Sequence, residues 1–184
     1  MKTEFSYNDG GRSKYFIGKG SDCVTRAIAI VANLDYKEVY DRLAKENAAQ
    51  RKGKYEAKSK IGKKTALRGI NTKRKWFKDY MNELQFQWIP TMFVGKGCKV
   101  HLCSDELPQG RLIISVSGHL TTMIDGVIND TFDPRRNVHN TAPAGSENNP
   151  FIPKYIYETV KPDENGNIHW VTKRCVYGYW IKKQ

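Results

Sequence analysis

Cys23 lies where a polar stretch gives way to an apolar run, in GSDCVTRAIAI from Gly20 to Ile30. Ser21 or Asp22 can cap a helix start by accepting hydrogen bonds from its free amides. A thiol at a helix N-terminus faces unpaired amides and the positive end of the helix dipole, and both favour the thiolate. Cys23 is therefore a candidate nucleophile, and the alternative interpretation is ordinary core packing.

A nucleophilic cysteine needs an imidazole that holds its proton and a third group that orients the ring. His119 is the candidate base, because it begins a predicted strand directly after the apolar run RLIISVS. Asp125-Gly126 is a strong signal for a two-residue hairpin turn, which puts Asp130 diagonal to His119 on one face. A turn one residue longer exchanges the faces and puts Asp133 opposite the histidine. We favour Asp130 and keep Asp133 as the alternate.

A second group of metal-ligating residue types lies at Cys98, His101 and Cys103. Thiolates and imidazoles are zinc ligands, but the spacing is poor and no second pair supplies a fourth ligand. We therefore expect strand packing here, and neither a metal nor a cofactor. The four cysteines, at positions 23, 98, 103 and 175, are too few and too scattered for a disulfide-stapled scaffold, so we expect free thiols.

Three helices are predicted in the first half of the chain. The first begins almost at Cys23, where apolar residues recur at helical spacing. Asp35 and Glu38 form a capping-box pattern at the head of the second. The third covers about Trp76 to Leu84.

The second half of the chain has the pattern of strands. Candidate strands are QWIPTMFV, KVHLC, GRLIISVS, HLTTMI, VINDTF, KYIYETV and IHWVTKRCVYGYW, with a further hairpin turn at Asn165-Gly166. The stretch 135–153, rich in Asn, Pro, Ala and Gly, predicts a long surface loop. Helices followed by antiparallel strands predict a single α+β domain over residues 1–184.

The net charge of +12 indicates an anionic partner, because surplus Lys and Arg attract nucleic acid or acidic proteins. The stretch 51–75 carries eleven Lys and Arg against one Glu and predicts a basic loop. Candidate contacts are Lys58, Lys60, Lys63, Lys64, Arg68, Lys73, Arg74 and Lys75. No base-reading motif accompanies them. Since no apolar run approaches the ~20 residues of a membrane span, we expect a cytoplasmic protein.

The order of a helix-start cysteine, a histidine and an acid on adjacent strands resembles the papain-like cysteine peptidase superfamily. DCVTRAIAI and the Asp133-Pro134 pair are most similar to the bacteriocin-processing peptidases of that superfamily. Closer still, DCVTRAIAI…YKEVYDRL, LPQGRLIISVSGH, MIDGVINDTFDP and CVYGYW resemble an uncharacterised group of phage and prophage proteins over most of the chain. The first resemblance implies a papain-like fold, with N-terminal helices packed on an antiparallel sheet.

That resemblance also implies a thiol peptidase or isopeptidase-like hydrolase acting on a protein or peptide. Cys23 attacks, His119 transfers the proton, and the backbone amide of Cys23 donates to the oxyanion. These enzymes usually place a glutamine about six residues before the cysteine, where this chain has Ile17. The second donor is left open, and candidates are side chains such as those of Asn8 and Ser13. The rival prediction is a non-enzymatic, phage-encoded protein whose basic surface binds nucleic acid or an acidic host protein.

Overall fold

The computed structural model describes residues 3–18, 20–50, 65–67, 70–142, 157–159 and 168–183. Its centre is helix α1, Cys23–Ala32, in which every residue from Val24 to Val31 is buried. A helix that is apolar nearly all round needs neighbours on several sides. Helix α2 (Tyr36–Ala49) and the main sheet supply them.

The main sheet has six strands and is mixed. In spatial order these are β1 (Glu4–Tyr7), β5 (Val127–Asp130), β4 (His119–Ile124), β3 (Arg111–Val116), β9 (Val176–Lys182) and β2 (Phe86–Pro90). A second sheet of three strands has the order β6 (Arg136–Ala142), β8 (Ile168–Thr172), β7 (Tyr157–Thr159). With helix α3 (Lys75–Glu83), these elements make the α+β architecture that the sequence predicts.

Alternating residues of the central strands pack into two apolar layers. On the helix side, Ile113, Leu120 and Trp180 join residues of all three helices. On the opposite face, the alternate residues of these strands pack against the segment that precedes β3. They include Leu112, Ile114, Met123, Ile128 and Val176. The helices therefore cover one face of the sheet, and α1 lies against β3, β4 and β5.

The hairpin of β4 and β5 has the predicted two-residue turn. Asp125 and Gly126 both adopt left-handed backbone conformations, with φ of 48° and 83°, as the favoured hairpin turn requires. Ile124 consequently pairs with Val127, which fixes the register of the two strands.

The predicted cap of α2 is also confirmed. The Asp35 carboxylate accepts hydrogen bonds from the amides of Lys37 at 2.8 Å and Glu38 at 3.3 Å. Helix α3 differs from its predicted limits by one residue at each end.

Several strand predictions are wrong. The stretch 99–103 forms only an isolated bridge between His101 and Cys175, and the stretch 168–180 is divided between β8 and β9. Strand β6 lies inside the predicted loop 135–153, because it pairs with β8 far along the chain. Strand β1 was not predicted, and it makes the sheet mixed by running parallel to β5.

The expectation of free thiols is wrong for two of the four cysteines. Cys98 and Cys175 form a disulfide across 77 residues, with their Cα atoms 5.9 Å apart. The bridge between His101 and Cys175 brings the two segments together, which their sequence positions do not reveal. Cys23 and Cys103 are free. Among the described residues, none of the helices has the length and apolar character that a bilayer crossing requires.

Candidate active site

Three chain elements have one terminus each at the open end of the β4–β5 hairpin, and each carries one of the candidate residues. Helix α1 begins at Cys23, strand β4 begins at His119, and strand β5 ends at Asp130. The neighbouring strand β1 pairs Tyr7 with Asp130, and the next amide, that of Asn8, donates to the Asp130 carbonyl at 2.9 Å. Asp130 is therefore held by regular backbone pairing to β1, and His119 is held by its pairing with Val116 of β3.

His119 and Asp130 are directly hydrogen-bonded. His119 Nε2 lies 2.7 Å from Asp130 Oδ2, and both side chains are at least nine-tenths buried. The other oxygen of Asp130 accepts from the amide of Thr131 at 2.7 Å. The carboxylate is thus fixed on both sides, and the ring has one defined orientation.

The alternate acid, Asp133, is not the partner of His119. Its carboxylate holds Arg135, with Nη2 to Oδ2 at 2.6 Å, and also accepts from the Arg135 amide at 3.0 Å. The two-residue turn is the physical reason, since only the longer turn would have put Asp133 opposite the histidine.

Cys23 lies close to the His119 ring and to the backbone of Leu120, and both act on its pKa. Since Nε2 is taken by Asp130, Nδ1 is the ring atom left for the thiol. Burial acts to raise the pKa of Cys23, but the hydrogen bonds from His119 and Leu120, with the charges of His119 and Arg26, outweigh it. The net pKa is lowered.

The imidazole is shifted in the complementary direction. Burial acts to lower its pKa, but the hydrogen bonds to Asp130 and Cys23 overcome this and raise the pKa of His119 to about 9. A lowered thiol pKa next to a raised imidazole pKa favours a thiolate–imidazolium pair at neutral pH. Phe132 covers the imidazole, with ring centroids 4.9 Å apart.

Asp22 does not cap helix α1, contrary to the sequence expectation. Its side chain makes no hydrogen bond to the helix amides and is instead buried among three partners. It accepts from Arg12 Nε at 2.7 Å, from the guanidinium of Arg26 and from the hydroxyl of Tyr36. Two arginines beside one carboxylate compensate the charge that would otherwise oppose ionisation of the adjacent thiol.

Arg26 connects this buried cluster to the orienting acid. One turn along α1 from Cys23, it contacts Asp22 with Nη1, while its Nη2 lies 3.8 Å from Asp130 Oδ1. Its positive charge also contributes to the lowered pKa of Cys23. Sequence reasoning missed this residue, although its i,i+4 spacing from Asp22 on a helix was a usable signal.

Arg12 anchors the segment that leads into the candidate nucleophile. Its Nη1 donates to the carbonyls of Phe16 at 3.3 Å and Gly18 at 2.6 Å, while Nε binds Asp22. Gly20 crosses this guanidinium so closely that a Cβ there would lie 2.9 Å from Arg12 Nη2. Nothing in the local sequence indicated this arrangement.

A cavity of about 770 Å³ opens next to Phe132, the residue that packs on His119. It lies between β1, residues 12–18 with Gly20, and the loop after β5. Its apolar wall includes Tyr7, Phe16, Ile17 and Phe132, and its floor includes Arg12 and Arg26. Three of these apolar side chains, those of Tyr7, Ile17 and Phe132, are exposed. A side chain of a bound acyl compound could therefore occupy it without displacing the protein core.

One oxyanion donor follows from the helix itself. The amide of Cys23 belongs to the first turn of α1, where backbone N–H groups have no intrahelical acceptor. Of the two candidates for a second donor, Asn8 uses its side-chain nitrogen on Asn129 Oδ1 at 3.3 Å. For Ser13, burial acts to raise the pKa of Asp9, but hydrogen bonds from the Ser13 side chain and from its backbone amide at 2.9 Å lower it, so the Ser13 side chain is engaged by Asp9.

The remaining site candidates lie elsewhere. Cys98 is excluded as a zinc ligand by its disulfide, and His101 Nδ1 is bonded to Glu106 at 2.9 Å. Of the basic residues, Lys73 and Arg74 are exposed, and Lys75 is paired with Asp79 at 2.7 Å. The other five lie outside the described residues: Lys58, Lys60, Lys63, Lys64 and Arg68.

Comparison with protein-family models, with curated proteins and with solved structures finds no match to this chain.

Proposed function

We propose that this protein is a cysteine-dependent hydrolase that forms an acyl-enzyme on Cys23. The observation that carries the proposal is that the Cys23 thiol, the His119 imidazole and the buried Asp130 carboxylate lie next to one another at the open end of the β4–β5 hairpin. The lowered pKa of Cys23 and the raised pKa of His119 both favour the thiolate and the imidazolium that this reaction uses.

The reaction takes place in two steps. The Cys23 thiolate attacks the carbonyl carbon of a peptide or isopeptide bond, and the oxyanion accepts a hydrogen bond from the backbone amide of Cys23. The His119 imidazolium gives its proton to the leaving nitrogen as the C–N bond breaks, which leaves a thioester. Water then attacks the thioester, His119 accepts the water proton, and the C–S bond breaks to release the carboxylic acid.

Each remaining group has a positioning role in this scheme. Asp130 holds the ring so that its other nitrogen faces the sulfur, and it stabilises the imidazolium. Arg26 lies between Asp130 and Asp22, and its charge favours the thiolate. Phe132 packs on one side of the His119 imidazole, and this contact limits the access of water to that side of the ring.

The finer assignments are part of the same proposal. A papain-like arrangement is consistent with a leading helix that carries the nucleophile against a sheet that carries the base. By its resemblance we assign the protein to a phage or prophage and its activity to the host cytoplasm. We assign a protein or peptide as the substrate class, and the cavity lined by Phe16 and Phe132 could receive one of its apolar side chains.

The test is cleavage of a proteome-derived peptide library by the wild-type chain, with new N-termini identified by mass spectrometry. Cleavage products should form with the wild-type protein and be absent with the Cys23→Ala and His119→Ala variants. Cys103→Ala is the matched control and should leave the product set unchanged, since that thiol is buried away from this site. Equal product sets from wild type and Cys23→Ala would contradict the proposal.

A further inference from the structure

A groove of about 710 Å³ lies at the edge of the sheet formed by β2, the edge opposite β1, between strand β2, the loop that follows it and the start of α3. Its apolar surface comes from Trp88, Met92, Phe93, Val94 and Tyr177, all of which are exposed to solvent. The side chain of Val94 is fully exposed and that of Phe93 is 59% exposed. A contiguous exposed patch of aromatic residues and methionine is the surface type that proteins use to bind other polypeptides.

The charged side chains that line this groove all have the same sign. They are Lys73 and Lys78, which lie near the start of α3, and among the described residues that line the groove none is acidic. Both are exposed, and neither forms an ion pair with another described residue. The groove therefore complements a ligand that has apolar side chains and carboxylates.

The shape of the groove depends on a glycine in β9. A Cβ on Gly178 would lie 2.3 Å from Cζ2 and 2.7 Å from Cη2 of Trp88. The indole thus occupies the space of the missing side chain and also contacts Trp180, with ring centroids 5.4 Å apart. The contacts with Gly178 and Trp180 hold Trp88 in one position, while 37% of the residue stays exposed to solvent.

One row of paired residues crosses the sheet from the neighbourhood of the candidate nucleophile to the groove. Leu120, which follows His119 in β4, pairs with Ser115, which pairs with Gly178, which pairs with Pro90. Three strand spacings separate the two ends of this row, roughly 14 Å. Leu120 and Trp180 belong to the apolar layer on the helix side, against which Cys23 also packs. The groove and the thiol therefore share one face of the sheet.

We propose that this groove binds an acidic segment with apolar side chains in the protein substrate. The inference rests on the proposed hydrolase function. An extended chain rises about 3.3 Å per residue, so at least about four residues separate the segment from the scissile bond. Its apolar side chains contact Trp88 and Phe93, and its carboxylates bind Lys73 and Lys78. The acidic segment selects the substrate, and the Cys23 site cleaves it.

The experiment measures binding to the full chain carrying Cys23→Ala, so that no cleavage occurs. The probe is a fluorescein-labelled peptide that alternates Glu with Leu and Phe, and its partner probe has Lys in place of every Glu. We expect binding of the Glu peptide alone. Lys73→Glu with Lys78→Glu should weaken it at least about tenfold by fluorescence anisotropy.

Two controls separate this groove from a general charge effect and from a folding defect. Lys45→Glu, an exposed residue of α2, removes the same kind of charge elsewhere and should change the Kd by less than about twofold. Phe93→Ser with Val94→Ser should weaken binding of the Glu peptide while circular dichroism stays unchanged. Equal losses from Lys45→Glu and from the groove variants would overturn the proposal.

The remaining outcomes distinguish the groove from the hydrolase. An oligothymidylate that displaces the peptide and needs the same lysines and Trp88 would identify a nucleic-acid site and overturn the proposal. If the Glu peptide binds as expected but wild type cleaves neither this peptide nor the library, the groove stands and the hydrolase fails. If wild type cleaves library peptides without preference for acidic segments, and the lysine variants do the same, the groove fails and the hydrolase stands.

Discussion

Two clusters in this molecule each combine a cysteine, a histidine and a carboxylate, and their electrostatics are opposite. At the open end of the β4–β5 hairpin, His119 lies between Cys23 and Asp130, and the pKa of Cys23 is lowered. Before β3, Glu106 lies between His101 and Cys103. There, burial and the negative charge of Glu106 raise the pKa of Cys103 to about 11.

The order of the three groups explains the difference. In the first cluster the thiol faces the imidazole, which can bear a positive charge, and the carboxylate lies behind the ring. In the second cluster the thiol faces the carboxylate, whose negative charge opposes a thiolate. Glu106 itself is stabilised as an anion. Burial acts to raise its pKa, but hydrogen bonds from His101 and Lys173 lower the pKa of Glu106 to about 2.

The comparison teaches that residue types alone do not identify a reactive cysteine. Both clusters have the three groups that cysteine catalysis uses, yet only Cys23 also begins a helix and lies beside an arginine. Cys103 is 2% exposed and belongs to the structural interior. A nucleophile is recognised by which charge faces the sulfur.

The largest expected effect concerns the buried charges under Cys23. Asp22→Ala leaves Arg12 and Arg26 without their shared carboxylate, and breaking a buried ion pair in this way costs about 3–5 kcal/mol. Urea unfolding should show this loss in the free energy of unfolding. Asp79→Ala removes an exposed partner of Lys75 and should cost less than about 1 kcal/mol. Equal losses for the two variants would show that the Asp22 cluster contributes no more than a surface pair.

A smaller effect is the pH dependence that His119 adds to stability. Its pKa of about 9 in the folded chain exceeds the ordinary value of 6.5, so the folded state binds the proton more tightly. The stabilisation is therefore complete below about pH 6.5 and is lost as the pH rises through about 9. Urea unfolding between pH 6 and 10 should show a fall of up to about 3 kcal/mol in wild type beyond that in His119→Gln. Parallel curves for the two proteins would contradict the raised pKa.

The smallest of these effects is on thiol reactivity. In His119→Ala, burial still disfavours the thiolate of Cys23 and the opposing imidazole is gone. Its alkylation by iodoacetamide at pH 7 should be at least about tenfold slower, since one pKa unit changes the thiolate fraction tenfold. His101→Ala is the matched control from the second cluster and should leave the Cys23 rate within about twofold of wild type. Equal slowing by both variants would mean that His119 has no specific role.

The local parts of this account could be predicted from the sequence. The Asp125-Gly126 turn needs two left-handed residues, and Asp-Gly supplies them, so the register of the hairpin and the choice of Asp130 followed. The start of α1 at Cys23 and the cap at Asp35 likewise depend on a few adjacent residues.

The parts that depend on distant contacts could not be predicted. The disulfide joins residues 77 positions apart, and β1 pairs with a strand more than a hundred residues later. Asp22 looked like a cap, but Arg12, Arg26 and Tyr36 compete successfully for its oxygens. Such competition is decided by tertiary geometry, for which neither spacing nor composition gives a signal.

The most direct test is the pH dependence of iodoacetamide alkylation at Cys23 and Cys103 in the same wild-type sample, followed by peptide mass spectrometry. Cys23 should titrate below the value of 9.0 for an unperturbed thiol, and Cys103 should stay unmodified until about pH 11. Titration of Cys23 at or above 9.0, or faster alkylation of Cys103 at neutral pH, would contradict the assignment of Cys23 as the nucleophile.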